Sequence, residues 1–418
     1  MTVTLPLPVG RGPLTLRARH LLPIGADSIE NGWLTIEGGR IVAIGRGRPS
    51  GPVHDLGEAI ILPGLVNAHT HLEFSDLTRP LSAMHGLPAW IEQVVALRRA
   101  RLLDPAREPA RLTAAIGLGL RESAAAGVTA IGEIATALHP GPMADGPRMR
   151  VFYETLGLLP GSMAAAEATL VRGLERMGRS GLSVGISPHA AYSVGQLLGR
   201  NVIRQAVVRR LPVAMHLAES RDEAELLATG GGAFRSLLEG LGAWRPEAPP
   251  RLLGVADWIS WLARPPRGIV VHGTFLPEDP MALARLARHR DRLCVVVCPR
   301  TTQAIAGRLP PVDSFRAAGV RVAIGTDSRA SNPDLSVLSE CRTLVEGGLV
   351  SPAESLAMAT RNGAWALGFD RQSGILTPGM SADLVILRPA GRTADPHEAA
   401  INPDTQMIAT LRRGRVIA

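Results

Sequence analysis

The chain has 418 residues, of which 46% are hydrophobic and 20% charged, a composition typical of a folded globular protein. The formal net charge is +8, but the basic residues are all arginine and are spread along the sequence. Together with few aromatic residues, this disfavours nucleic-acid binding. No apolar run approaches the roughly eighteen residues of a membrane span, and three cysteines are too few for a disulfide framework.

The N-terminal residues 1–22 contain three prolines and lack the continuous apolar segment of a secretion signal. The sparse cysteines fit a reducing compartment. We therefore expect a cytoplasmic protein with neither a nucleic-acid nor a membrane partner. Cys294 and Cys298 lie in or beside an apolar segment, so they are predicted to be buried thiols.

Short strands are predicted at both ends of the chain. Segments 33–37 and 40–44 are extended runs that flank Gly38-Gly39, the pattern of a β-hairpin with a two-residue turn. Segments 382–387 and 406–411 have the same β-rich character near the C-terminus. The two ends therefore differ from the middle of the chain.

Between residues 63 and 376, short apolar runs alternate with longer helical stretches. Eight runs have the Val, Ile and Leu content of buried parallel strands: 65–68, 128–131, 150–154, 182–187, 212–217, 268–272, 293–297 and 320–325. Eight strand–helix units over about 260 residues are the size of a closed (β/α)8 barrel with parallel strands. A doubly wound open sheet is the competing architecture, but no GxGxxG turn follows an early strand, so we predict an α/β barrel.

Polar residues gather at the predicted C-terminal ends of these strands, where barrel enzymes have their active sites. In chain order they are His69, His71, His189, His216, Glu219, His272 and Asp327. Residues two apart in a strand point to one face, so His69 and His71 can bind one ion. His216 would add a nitrogen and Asp327 an oxygen, a ligand set that suits Zn²⁺ and also Fe²⁺ or Mn²⁺.

Several motifs carry a family resemblance that covers essentially the whole chain. Ile61-Leu-Pro-Gly-Leu-Val-Asn-Ala-His-Thr-His71 resembles the first-strand motif of the amidohydrolase superfamily, in the branch of cytosine deaminase, adenosine-type deaminases and triazine hydrolases. Further motifs match that branch in order: Ser187-Pro-His189, Met215-His-Leu-Ala-Glu219, Val271-His-Gly273, Gly325-Thr-Asp327 and Gly374-Ile-Leu-Thr-Pro-Gly379. The resemblance implies a composite β-sandwich from residues 1–62 and 377–418, beside a barrel of residues 63–376.

The resemblance also implies a role for each polar residue. His69, His71, His216 and Asp327 would bind the metal, Glu219 would shuttle a proton, His272 with Asp327 would deprotonate the attacking water, and His189 would contact the substrate. Binuclear members commonly bridge two metals with a carboxylated lysine, and this chain has no lysine, so one divalent ion, zinc first, is expected. The implied reaction is deamination of an amino-substituted heterocycle, and homodimers are usual among similar proteins.

The substrate is predicted from a segment of five residues that follows the first barrel strand. Residues 71–75, His-Leu-Glu-Phe-Ser, resemble aminodeoxyfutalosine deaminases of bacterial menaquinone synthesis, which act on an adenine-containing nucleoside. Arg98, Arg99 or Arg300 could pair with its benzoate carboxylate, and Glu73 could contact the substrate or support the metal loop. The alternatives are guanine or cytosine deamination, triazine (C–Cl) or cyclic amide hydrolysis, and a non-catalytic metal-binding paralogue.

Overall fold

The N-terminal part of the chain forms five short strands. In the computed structural model, which describes residues 12–49, 51–137, 139–143, 145–391 and 395–418, they are β1 (Leu14–Leu21), β2 (Ile29–Glu37), β3 (Arg40–Arg46), β4 (His54–Asp55) and β5 (Ile60–Pro63). β2 and β3 form the predicted hairpin. Gly38 and Gly39 make its turn with φ of 57° and 77°, which glycine adopts without strain. The first half of the proline-containing segment of residues 1–22, namely residues 1–11, lies outside the described residues.

The middle of the chain forms the predicted barrel. Its strands are β6 (Leu65–Thr70), β7 (Val128–Ala135), β8 (Arg148–Thr155), β9 (Ser183–Pro188), β10 (Val213–Leu217), β11 (Gly268–His272), β12 (Leu293–Val297) and β13 (Arg321–Ile324). Each strand pairs in parallel with the next one in the chain. The ring closes where the backbone N–H groups of Thr326 and Asp327 donate to the carbonyl of His69, both at 3.1 Å. The predicted α/β barrel is therefore confirmed.

Helices connect the barrel strands and continue beyond them. They are α1 (Gly86–Arg101), α2 (Glu108–Ala125), α3 (Pro160–Arg179), α4 (Gln196–Arg209), α5 (Arg221–Thr229), α6 (Gly232–Gly240), α7 (Val255–Leu262), α8 (Pro280–Arg288), α9 (Pro299–Ala306), α10 (Val312–Ala317), α11 (Val337–Glu346), α12 (Pro352–Ala357), α13 (Gly363–Leu367) and α14 (Pro396–Ile401). Leu72–Phe74 and Leu276–Glu278 form 3₁₀ turns, and Met358–Asn362 forms a π-helical turn between α12 and α13. Within the described ranges, no helix has the length and apolar character needed to cross a membrane.

Burial explains why the barrel strands are short, continuous apolar runs. Every residue of β10, β11 and β12 is buried, because helices cover the outer face and side chains fill the inside. α4 has the matching helical pattern, since its buried residues Leu198, Val202 and Ala206 recur every four positions. Cys294 and Cys298 are buried free thiols, as predicted.

The C-terminal strands complete the sheet that the N-terminal strands begin. They are β14 (Leu384–Arg388), β15 (Gln406–Arg412) and β16 (Arg415–Val416). β14 pairs with β5 in the order β16-β15-β14-β5-β1-β2-β3, with β4 beside β1. The sheet folds back on itself, since Ile41 N donates to Met380 O at 2.9 Å and Ala382 N to Gly39 O at 3.0 Å. Its apolar face encloses a separate core, which confirms the composite β-sandwich.

Candidate functional site

A cavity opens at the C-terminal ends of the barrel strands, where the sequence predicts the functional residues. We call it the rim cavity, and its volume is about 460 Å³. Apolar side chains from the turn after β6, from α1 and from α6 form much of its wall. The lining residues that matter below are His71, Phe74, Trp90, Arg98, Glu154, His189, Tyr192, His216, Glu219, Phe234, His272 and Asp327.

Three histidines and one aspartate converge at this cavity. One ring nitrogen from each of His69, His71 and His216 lies within 4.8 Å of the other two. The Nε2 atoms of His71 and His216 are 3.3 Å apart. Asp327 Oδ1 lies 3.7 Å from the Nε2 atoms of both His69 and His71. The structure therefore brings the four predicted metal ligands together.

Strand geometry and backbone strain produce this arrangement. His69 belongs to β6 and His71 follows the strand directly, so strand alternation directs both side chains to one face. Ala218, His272 and Asp327 lie at or just beyond the ends of β10, β11 and β13, with φ of 53°, 66° and 55°. Left-handed backbone at non-glycine residues costs roughly 1–3 kcal/mol each and concentrates at functional sites. Strained backbone therefore occurs at three strand ends of the rim. His272 and Asp327 are themselves polar site residues, and Ala218 directly precedes Glu219.

The donor atoms fit a divalent metal ion. Both ring nitrogens of His69 and the Nδ1 of His71 are buried and have no hydrogen-bond partner among the described residues, which is costly unless a ligand binds them. Burial lowers the pKa of His69 to about 3 and holds the pKa values of His71 and His216 well below their usual range, so these imidazoles are neutral. His216 Nδ1–H donates to the carbonyl of His189 at 2.9 Å, which leaves Nε2 free for a metal. Three neutral nitrogens and a carboxylate are ligands that zinc prefers.

Glu219 and His272 form a second pair at the same rim. Glu219 Oε1 lies 3.5 Å from His272 Nε2, and both side chains are buried. Burial, together with the charges of Asp327 and Glu223, raises the pKa of Glu219 well above its usual range. Burial lowers the pKa of His272 to about 3. A protonated carboxyl beside a neutral imidazole can donate and accept protons within one site.

The residues predicted to bind substrate have different positions. His189 lines the rim cavity, and its Nδ1 lies 2.7 Å from the Ser193 hydroxyl. Glu73 is buried outside the lining, where its carboxylate accepts a hydrogen bond from Arg98 Nη2 at 2.6 Å. Arg98 itself lines the cavity, whereas Arg99 is exposed on α1. Of the residues considered for the substrate carboxylate, Arg98 is therefore the one that reaches the cavity.

Arg300 does not line the rim cavity, so the structure does not bring this predicted substrate-binding residue to the site. Its Nε donates to Glu340 Oε1 at 2.8 Å, and its Nη2 donates to Asp334 Oδ1 at 2.6 Å. Glu340 is fully buried and also accepts from Asn332 Nδ2 at 2.6 Å. Asn332 donates in turn to the carbonyl of Thr326 at 2.8 Å. Arg300 therefore stabilises the segment that follows β13 and carries Asp327.

Two buried carboxylates at the rim, Glu133 and Glu154, were not predicted from the sequence. Glu154, near the end of β8, lines the cavity, and burial raises its pKa to about 7. Glu133, in β7, accepts from the backbone N–H of Leu72 at 3.0 and 3.2 Å, and burial raises its pKa well above the usual range. Both lie toward the C-terminal ends of barrel strands. Their position is the signal that could have identified them, because the histidines also lie near the C-terminal ends of barrel strands.

Comparisons with known proteins agree with the fold. A 5-methylthioadenosine/S-adenosylhomocysteine deaminase from Moorella thermoacetica is 29% identical and aligned over 90% of this chain and 86% of its own length. An aminodeoxyfutalosine deaminase from Deinococcus radiodurans is 31% identical, with 74% of each chain aligned. The crystal structure of Helicobacter pylori aminofutalosine deaminase in complex with methylthio-coformycin has the same fold. Its TM-score is 0.81 at 21% identity, covering 97% of this chain and all of that one.

The family assignment covers most of the sequence. The sequence profile described as "Amidohydrolase family" matches residues 60–417, which include the whole barrel and the C-terminal strands. The predicted resemblance is therefore confirmed. The chain belongs to the amidohydrolase family and is a hydrolase that acts on carbon–nitrogen bonds.

Proposed function

We propose that the protein is a metal-dependent deaminase that removes the amino group from the adenine ring of a nucleoside. The observation that carries this proposal is the Glu219–His272 pair beside the cluster of His69, His71 and His216. Hydrolytic deamination needs one group that gives a proton to the ring and another that takes a proton from water, and this pair can do both. The deaminases of adenine nucleosides among its relatives support the proposal.

One divalent metal ion completes the proposed site. His69, His71, His216 and Asp327 would hold it, with zinc as the first choice and iron(II) or manganese(II) as alternatives. Such an ion supplies Lewis acidity, which makes a water molecule acidic enough to react near neutral pH. The chain has no lysine that could become a carboxylated bridge to a second ion, which favours a mononuclear site.

The side chains divide the proton transfers among them. Glu219 gives its proton to the ring nitrogen next to the amino-bearing carbon, which makes that carbon electrophilic. His272 and Asp327 take one proton from water as the water oxygen bonds to the carbon, and this proton passes to the departing ammonia. The carbon–nitrogen bond breaks, and the second proton of water restores the protonated Glu219. General acid–base catalysis of this kind contributes about 10²–10⁴ in rate.

The proposed substrate is aminodeoxyfutalosine, which would assign the enzyme to menaquinone synthesis. The rim cavity, about 460 Å³ with mostly apolar walls, can hold a nucleoside with an apolar substituent. Arg98 lines that cavity, and its buried Nε has no hydrogen-bond partner within the described ranges, so it can face the benzoate carboxylate. The aminodeoxyfutalosine deaminase from D. radiodurans, at 31% identity, supports this choice.

A second candidate is a 5′-thio-substituted adenosine such as methylthioadenosine. One observation favours it: Arg98 Nη2 is already paired with Glu73 at 2.6 Å, which partly neutralises the guanidinium. The cavity wall around Arg98 includes Phe74, Trp90 and Val94, which suit an uncharged apolar group. The two candidates are distinguished by kcat/KM. A benzoate carboxylate on the substrate should raise it if aminodeoxyfutalosine is the substrate and lower it if methylthioadenosine is.

Assembly and location complete the proposal. We propose a cytoplasmic homodimer that acts on a small molecule and has no nucleic-acid or membrane partner. Many of the arginines that produce the positive net charge are paired with carboxylates, for example Arg111 with Glu108 and Asp76, and Arg285 with Asp257. Paired arginines present less free positive charge to a polyanion.

Ammonia release by the zinc-reconstituted protein tests this function. The panel contains aminodeoxyfutalosine, methylthioadenosine, S-adenosylhomocysteine, adenosine, guanine, cytosine and a chlorotriazine. We expect release from an adenine nucleoside that a chelator abolishes, with the highest kcat/KM for aminodeoxyfutalosine. A higher value for methylthioadenosine would select the second candidate. Turnover of guanine, cytosine or the triazine alone, or no turnover at all, would contradict the adenine nucleoside assignment.

A further inference from the structure

Glu154 is a buried carboxylate of the rim cavity that the proposed mechanism does not use. It is the last residue but one of β8, and only 6% of it is exposed. Both carboxylate oxygens are buried and have no hydrogen-bond partner in the part of the chain that the structure describes, although the side chain lines the cavity. A buried carboxylate without donors is costly, so this oxygen pair needs a partner that the described residues do not supply.

The neighbours of Glu154 make a second metal site an unsuitable explanation. Glu154, His189 and His216 have potential ligand atoms within 4.8 Å of one another. However, His216 Nδ1 donates to the His189 carbonyl, and its Nε2 faces His71 at 3.3 Å in the first cluster. His216 therefore has no nitrogen to spare, and Glu154 with His189 offers only two ligands, fewer than the four that zinc usually has.

The charges around Glu154 indicate an uncharged donor on the ligand. Arg98 lies close enough to influence the carboxylate electrostatically but is paired with Glu73, and it forms no ion pair with Glu154 within 4.0 Å. A ligand carboxylate placed directly against Glu154 would be repelled by it, and the attraction of Glu154 for a ligand ammonium would be weakened by the nearby Arg98. Hydroxyl groups satisfy both constraints, because they donate hydrogen bonds and carry no charge.

When the 5′ position of an adenine nucleoside carries a substituent without donors, its hydroxyl donors are the two neighbouring hydroxyls of the ribose. The exocyclic amine is the group that reacts, and the remaining donors are the 2′- and 3′-hydroxyls of the ribose. A carboxylate can accept from both members of such a vicinal pair, as acidic residues do for ribose in dinucleotide-binding proteins. We propose that Glu154 binds the ribose hydroxyls and selects nucleosides over free bases and over deoxyribose compounds. This inference rests on the proposed deamination of a nucleoside.

A thermodynamic cycle tests the inference. It combines removal of the ribose hydroxyls from the substrate with removal of the Glu154 carboxylate from the protein. The probe is whichever of aminodeoxyfutalosine, methylthioadenosine and adenosine the wild-type enzyme deaminates with the highest kcat/KM, together with its 2′,3′-dideoxy analogue. We measure kcat/KM for both compounds with wild type, Glu154→Gln, Glu154→Ala and the control Glu92→Gln, which changes an exposed glutamate on α1. Zinc content and thermal midpoint are measured for every variant.

We expect wild type to prefer the hydroxylated nucleoside strongly over its 2′,3′-dideoxy analogue, and this preference to disappear when the Glu154 carboxylate is removed. Hydrogen bonds to a charged group imply a preference of about 10- to 150-fold for each hydroxyl lost. We expect Glu92→Gln to keep this preference. In both Glu154 variants, kcat/KM for the two compounds should agree within about threefold. Every variant should contain one zinc per chain. Equal kcat/KM for the two compounds in wild type would overturn the inference even if the variants fail to fold. Loss of a second zinc in Glu154→Gln would also overturn it.

The failure of the proposed function gives a different result. If wild type deaminates none of the nucleosides, the deaminase assignment fails, and the ribose inference fails with it. If wild type deaminates a nucleoside but the Glu154 variants keep the full preference for the hydroxylated compound, the ribose inference alone fails.

Discussion

Replacing Arg300 with methionine separates a structural role from the substrate-binding role that the sequence predicted. Arg300 Nε pairs with Glu340 Oε1 at 2.8 Å, and its Nη2 pairs with Asp334 Oδ1 at 2.6 Å. The side chain of Glu340 is fully buried, whereas that of Asp334 is 42% exposed. The loss of stability in Arg300→Met should therefore come mainly from the unpaired Glu340.

The magnitude follows from the two pairs. Removing one partner of a buried ion pair costs about 3–5 kcal/mol, and a partly exposed pair such as that with Asp334 contributes up to about 1 kcal/mol. Asn332 Nδ2 still donates to Glu340 at 2.6 Å, as does the backbone N–H of residue 300 at 2.9 Å. Because these bonds remain, we expect the lower part of that range, about 3 kcal/mol.

The loss of unfolding free energy in Arg300→Met should depend on pH. Burial raises the pKa of Glu340 in spite of Arg300, so removing Arg300 raises it further. The folded state of the variant then binds a proton more tightly than the unfolded state. The stabilisation from this proton is complete below the unfolded pKa of about 4.5 and is lost as pH rises through the folded pKa. The deficit of Arg300→Met should therefore be larger at mildly alkaline pH than at mildly acidic pH.

Chemical denaturation and steady-state kinetics together provide the assay. We expect a lower free energy of unfolding for Arg300→Met, with KM for the nucleoside close to the wild-type value. A double variant, Arg300→Met with Glu340→Leu, should recover much of the stability, because no buried charge remains. A variant as stable as wild type but with KM raised at least about tenfold, or roughly 1.4 kcal/mol, would refute the structural role.

Glu219→Gln is expected to lower turnover by about 10²–10⁴ while zinc content, measured by mass spectrometry, stays at the wild-type level. Removing zinc with a chelator should lower the thermal midpoint, because zinc at a hundredfold excess over its Kd stabilises the folded state by about 2.7 kcal/mol. His69→Ala should lose that response. Gly132→Ala should destabilise by about 1–3 kcal/mol, because its Cβ would lie 2.4 Å from the carbonyl oxygen of Ala68. Gly178→Ala on α3, with nothing within 4 Å, is the control and should gain about 0.5–1 kcal/mol.

Each of these outcomes has a clear opposite. Turnover of Glu219→Gln within threefold of wild type would exclude the carboxyl as the proton donor. A thermal midpoint that the chelator leaves unchanged, or an equal zinc response in His69→Ala, would contradict the proposed ligands. Equal stability of Gly132→Ala and wild type would mean that β6 and β7 can separate without cost.

The barrel could be predicted because its strands have an unmistakable composition. Runs such as 293–297 are continuously apolar since both faces of the strand are buried, and the structure has β12 at those same residues. His69 and His71 were identified because strand alternation and the position of barrel active sites are local, general rules. β11 also lies at its predicted residues, whereas the boundaries of the other six strands differ by up to four residues. β7 extends past its apolar run because its pairing with β6 and β8 continues there.

Arg300 and Glu73 are held by long-range contacts that no local pattern encodes. Arg300 follows β12 and therefore lies near the rim in sequence terms, but Glu340 on α11 and Asp334 bind it away from the cavity. Glu73 was predicted either to contact substrate or to support the metal loop, and its carboxylate binds Arg98. Glu154 was not predicted, although it lies near the end of β8 and the rule for barrel active sites applies to it too.

The proposed function requires metal-dependent deamination at one site, and titration of metal-free protein with zinc tests this requirement most directly. Ammonia release from an adenine nucleoside is measured after each addition, with His69→Ala in parallel. We predict activity that rises linearly and saturates at one zinc per chain, with none in His69→Ala. Full activity before zinc is added, saturation at two zinc ions per chain, or an active His69→Ala would contradict the proposed mononuclear deaminase.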